Sequence, residues 1–78
     1  MESELMKKAY WQSRRGLQEL DLILIPFVED CFADLNQEDK IIFFDLLNNE
    51  DIDLIDWLIN QKNPPERFLK IIDLVIKK

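Results

Sequence analysis

Apolar residues recur along this chain at intervals of three and four, the spacing that lines one face of an α-helix. From Ser3 to about Arg14, Leu5, Met6, Ala9 and Tyr10 share such a face, with Trp11 at its border. Ser3 is placed to cap that helix, and Arg14 and Arg15 fall in its last turn, where cations favour the helix dipole. From Leu17 to about Phe32 the set Leu17, Leu20, Ile23, Leu24, Phe27, Val28, Cys31 and Phe32 keeps the same period. Pro26 interrupts it, and a proline inside a helix removes a hydrogen bond and bends the backbone: either one helix kinks there, the favoured reading, or the helix proper begins near Pro26 and residues 17–24 form a shorter piece. Asn36 caps a third helix, with Asp39 at the reciprocal capping-box position. That helix runs to about Asn48 on Ile41, Ile42, Phe44, Leu46 and Leu47. A fourth opens in the segment NNED and ends near Gln61. Its broad apolar surface (Ile52, Leu54, Ile55, Trp57, Leu58 and Ile59) predicts a central position. The segment NPPE opens a fifth, since proline suits a first helical turn. Phe68, Leu69, Ile71, Ile72, Val75 and Ile76 carry it to the C-terminus.

The connections are two to five residues long, so neighbouring helices should pack roughly antiparallel. No strand alternation, repeat or linker interrupts the pattern. The expected fold is all-α, a compact bundle of five short helices in a single domain over residues 1–78. An apolar fraction of 47% suffices for one core. So short a chain must spend most of its apolar side chains on that core. Little room is left for a cofactor cavity, and a monomer is expected in the free state.

Charge narrows the partners. The net charge is −6, and it is uneven: residues 21–60 hold eleven acids against Lys40 alone, a charge of −10. Such a surface repels phosphate, which argues against nucleic acid, while it can steer a protein partner. No apolar run approaches the ~20 residues that span a bilayer, and the first ten residues lack the apolar run of a signal peptide. A cytoplasmic protein with no direct membrane insertion is expected.

Catalytic chemistry finds few residues. With one cysteine, Cys31, and no histidine, an internal disulfide, a Cys/His metal site and a histidine-based triad are all excluded. Cys31 sits among apolar positions and reads as a small buried hydrophobe. Glu50, Asp51 and Asp53 crowd a helix start, where acids favour the dipole; their spacing does not match an EF-hand loop. The single glycine rules out a phosphate-cradling loop. Neither an enzyme, nor a metal site, nor a stably bound cofactor is expected. Trp57 reads as core. Tyr10 and Trp11 lie one turn before an arginine pair; they either pack on the second helix or anchor an interface.

The stretch SRRGLQELD, from Ser13 to Asp21, holds that glycine. In one reading Gly16 is a left-handed helix cap and Arg15 and Glu19 form at most a surface pair, worth a few tenths of a kcal/mol. In the other the turn displays a cation, an exposed backbone and an anion to a partner. Arginine bonds carboxylates and carbonyls bidentately, and a glycine permits close approach.

Trp11 to Asp21, as W-x-x-R-R-G-x-x-E-L-D, resembles the succinate dehydrogenase assembly factors, or flavinators. The hallmark Arg-Gly-x-x-Glu is matched by Arg15, Gly16 and Glu19. Pro26-Phe27, Asp39-Lys40 and Trp57-Leu58 extend the resemblance over nearly the whole chain. It implies a five-helix chaperone that binds the flavoprotein subunit of succinate dehydrogenase, and that of fumarate reductase in bacteria. Such a chaperone promotes covalent attachment of FAD to a histidine of that partner. It implies a partner-binding surface at Arg15, Gly16 and Glu19, extended by Tyr10, Trp11 and Arg14. The family has also been assigned an antitoxin role, acting by protein–protein binding; that role does not require the intact turn.

Overall fold

A computed structural model describes the backbone of residues 2–77 and the side chains of residues 4–77. Five α-helices follow one another: α1 Glu2–Ser13, α2 Gln18–Cys31, α3 Gln37–Leu47, α4 Asp51–Leu58 and α5 Leu69–Lys77. Short 3₁₀ turns, Phe32–Asp34 and Glu66–Phe68, follow α2 and precede α5. The radius of gyration is 11.4 Å, against about 11.5 Å for a compact chain of this length. The all-α bundle of five short helices is what the apolar spacing predicts.

The core is built where the helical faces meet. Leu20, Leu24, Phe27 and Val28 of α2 are buried together with Ala9 of α1, Phe43, Leu46 and Leu47 of α3, Leu54 and Leu58 of α4, and Ile71, Ile72 and Val75 of α5. Phe43 stands at the aromatic centre, with its ring centroid 5.3 Å from Phe27 and 5.8 Å from Phe32. Such tilted pairs add about 0.5–1.5 kcal/mol each beyond burial. Trp57 is half-buried and packs on Phe68 at 5.8 Å, in keeping with a core role. Asn36 caps α3 through its side-chain oxygen, which accepts from the Asp39 N–H at 2.8 Å. The Asp39 carboxylate meets Lys70 Nζ at 3.2 Å and so ties α3 to α5.

Several expectations change. α1 includes Ser3 within its helical backbone, so Ser3 is not the flanking cap residue; its side chain lies outside the described ones. The same helix ends at Ser13, which puts Arg14 and Arg15 beyond its last turn. The favoured reading of the second helix stands in one respect: a single α2 runs through Pro26 and continues for five residues past it, so the helix does not begin there. The central helix is α2, which packs against α1, α4 and α5; α4 does not hold that place. Ile52 stands 68% exposed on α4, because eight residues can turn only one narrow face inward. On α3 the buried residue is Phe43 and the exposed one Ile41, the reverse of the expected assignment. Leu69 and Ile76 of α5 are likewise exposed. Pro64 and Pro65 do not enter a helix: they belong to an extended connection leading to the 3₁₀ turn. That connection, residues 59–65, exceeds the expected length and reverses through Gln61 at φ 58°. Cys31 is half-buried at the end of α2.

Candidate functional site

The turn between α1 and α2 has a built interior. Gly16 adopts φ +80°, a left-handed conformation that residues with a Cβ rarely take. The Asp21 carboxylate reaches back from the first turns of α2 and accepts from the Arg15 N–H at 2.9 Å, which closes the turn from below. The Arg15 side chain closes it from the other side. Nε donates to Asp51 Oδ1 at 2.8 Å, Nη1 to the carbonyls of Leu47 at 2.8 Å and Gln12 at 3.0 Å, and Nη2 to the carbonyl of Asn49 at 2.9 Å.

These partners follow from helix physics. The last carbonyls of α1 and α3 lack intrahelical N–H donors. A planar guanidinium can satisfy several of them at once. Asp51 opens α4, where an acid is favoured by the helix dipole. One side chain thus joins the end of α1 and the α3–α4 corner. The pairing of Arg15 with Glu19 is not formed. Nor does Arg15 present a free guanidinium: its side chain is only 17% exposed, and four of its N–H groups are engaged within the chain. The separation of 36 residues between Arg15 and Asp51 explains why no local pattern announces this contact.

The outward face of the turn is open. Gly16 is exposed, and a Cβ built on it meets nothing within 4 Å. The fold therefore favours glycine here for its backbone angle and not for internal space. Glu19 is exposed and, among the described residues, makes no hydrogen bond or ion pair. On the preceding turn Arg14 lies over both Tyr10 and Trp11, 5.8 Å and 5.6 Å from the ring centroids. Trp11 is 67% exposed, so it is a surface residue and not packing for α2. Tyr10 is half-buried against the core.

Two neighbouring features carried no local signal. A groove of about 460 Å³ begins at Gly16 and is lined by Gln18, Asp21, Leu22, Ile25 and Pro26. Leu22 and Pro26 are shared with a second hollow of about 330 Å³, whose other walls include Leu58 and Ile76. Leu22 is 67% exposed between them. It lies outside the periodic apolar set of α2, which is why core reasoning passes over it. Among the described residues no group of acidic or cysteine side chains is placed to hold a metal, and no helix is long and apolar enough to cross a membrane.

Fold and site together define a small helical bundle whose distinguishing feature is a rigidly held, exposed turn beside an open apolar groove. The chain belongs to the family described as flavinator of succinate dehydrogenase, whose model matches residues 7–78. It is 42% identical over 69 residues to the FAD assembly factor SdhE of Pseudomonas aeruginosa, covering 88% of this chain and 81% of that one. To the FAD assembly factor SdhE of Pectobacterium atrosepticum it is 40% identical over 70 residues, 90% of this chain and 80% of the other. The Francisella tularensis protein of the same name is 38% identical over 71 residues, 91% of this chain and 75% of the other. No solved structure matches this chain.

Proposed function

We propose that this protein is an assembly chaperone that binds the flavoprotein subunit of succinate dehydrogenase and promotes covalent attachment of FAD to it. Membership of the flavinator family is the observation that carries this reading. The exposed turn supports it from the physical side. Gly16 offers backbone without a side chain, Glu19 offers an uncommitted carboxylate, and Trp11 with Arg14 offers an aromatic–cation pair of the composition found at interface anchors. Arg15 belongs to the same surface as its positioning residue: it holds the turn in the shape that the partner meets.

The chemistry belongs to the client. Joining a flavin to a histidine requires both held in reactive geometry with charge-stabilising groups nearby. A protein without histidine contributes by favouring one client conformation over others. FAD is held by the client and not stably by this chain. The flavoprotein of fumarate reductase is a second client of the same chemistry. The chaperone acts in the cytoplasm as a monomer.

The test is covalent flavin on the client, read by in-gel fluorescence in a deletion strain complemented with variants. Gly16→Asn is the informative substitution, since asparagine tolerates a left-handed backbone yet places a side chain on the open face. It is expected to stay folded by circular dichroism and to lower covalent flavin at least about fivefold, as a clash at a buried contact would. Glu19→Ala is expected to act in the same direction. Flavin levels indifferent to the deletion would sink the chaperone reading for this client.

A further inference from the structure

The groove beside Gly16 is mostly apolar, and apart from the Gln18 amide its polar side chain is a carboxylate. Leu22, Ile25 and Pro26 make its apolar wall, and Asp21 stands on its edge. Glu19 lies exposed one turn before Leu22 on the same helix, and Glu29 lies exposed two turns after it. Pro26 adds a further acceptor. It has no N–H to donate to the carbonyl four residues earlier, so the Leu22 carbonyl lacks its usual helical partner. Carboxylates and a backbone carbonyl thus surround an exposed leucine.

We infer that this groove receives a segment of the client flavoprotein that carries an apolar side chain next to an arginine or lysine. The inference rests on the chaperone reading above and extends its surface from the turn along α2. The apolar side chain lies against Leu22 and Pro26. The cation reaches Asp21 or Glu19, and its N–H groups match an acceptor-rich rim. A second copy of this chain fits poorly, because its own net charge of −6 opposes approach to an acidic rim. The groove is continuous with the turn at Gly16, so one client segment can engage both.

The experiment measures binding of the full-length protein to purified apo-flavoprotein subunit by biolayer interferometry at low salt. Leu22 is 67% exposed, so its variants are expected to fold, which circular dichroism checks. Leu22→Glu removes the apolar contact but keeps the sign of the rim, and is expected to weaken binding roughly tenfold. Leu22→Lys also opposes the incoming cation, and is expected to weaken it roughly a hundredfold. Ile41→Lys, on an exposed site of α3, is the control and changes binding less than about twofold. Wild-type binding by Leu22→Lys would overturn the groove and leave the chaperone reading standing. Equal losses with Lys and Glu would remove the cation from the proposal. If wild type does not bind the subunit, the chaperone reading falls and the groove's occupant with it. Self-association of wild type that Leu22→Lys abolishes would assign the groove to a second copy instead.

Discussion

Arg15 and Ser13, two positions apart, show how neighbouring polar residues act in opposite directions. The Arg15 guanidinium satisfies three carbonyls and one carboxylate, and hydrogen bonds to a charged group contribute about 1.5–3 kcal/mol net. Asp51 is 41% exposed, so water weakens its share. Arg15→Ala is therefore expected to lower stability by about 2–3 kcal/mol in urea denaturation. Arg15→Lys should recover little of that loss, since a single ammonium cannot span carbonyls on two sides. Stability unchanged by Arg15→Ala would show that the four contacts are not maintained in solution. Ser13 is fully buried and, among the described residues, its hydroxyl has no hydrogen-bond partner. Ser13→Ala removes an uncompensated polar group while keeping the shape. It should stabilise by about 1 kcal/mol, raising Tm by roughly 4–8 °C in calorimetry.

At the scale of elements, α2 carries an internal conflict. It supplies four buried residues to the core, yet it contains Pro26, which disfavours helix. Packing on α1, α4 and α5 holds the helix together through that position. Pro26→Ala would return an N–H to the Leu22 carbonyl. It is expected to raise stability by about 1–3 kcal/mol, visible as a higher urea midpoint with unchanged slope. A lower midpoint would mean that the pyrrolidine ring packs better than the restored hydrogen bond compensates. The same helix presents Leu22 outward and Leu20 and Leu24 inward, so one element serves both core and surface.

For the whole molecule, stability is shared across a single small core. α5 with its preceding turn contributes four buried side chains, Phe68, Ile71, Ile72 and Val75. At about 1.5–3 kcal/mol each, their loss amounts to on the order of 8 kcal/mol. A domain of this size has only about 4–12 kcal/mol of net stability. A chain truncated after Gln61 should therefore lose its cooperative thermal transition in far-UV circular dichroism. A cooperative transition in that fragment would show that α1–α4 form a core of their own.

The sequence by itself determined the fold class, the number and order of the helices, though not all their ends, and the exceptional character of the Arg15–Glu19 turn. Helical periodicity, caps and the left-handed glycine are local properties, set by residues within four positions of each other. Tertiary structure alone decided what lies between and around them. Whether Phe43 or Ile41 faces inward depends on which side of α3 meets α2 and α1, and adjacent apolar residues leave that open. Whether Arg15 reaches solvent or Asp51 depends on the α3–α4 corner arriving beside the α1–α2 turn. The groove along Leu22 and Pro26 exists because α5 and α4 stop short of covering that face of α2. Such features arise from distant segments meeting, and distance along a chain carries no periodic signal.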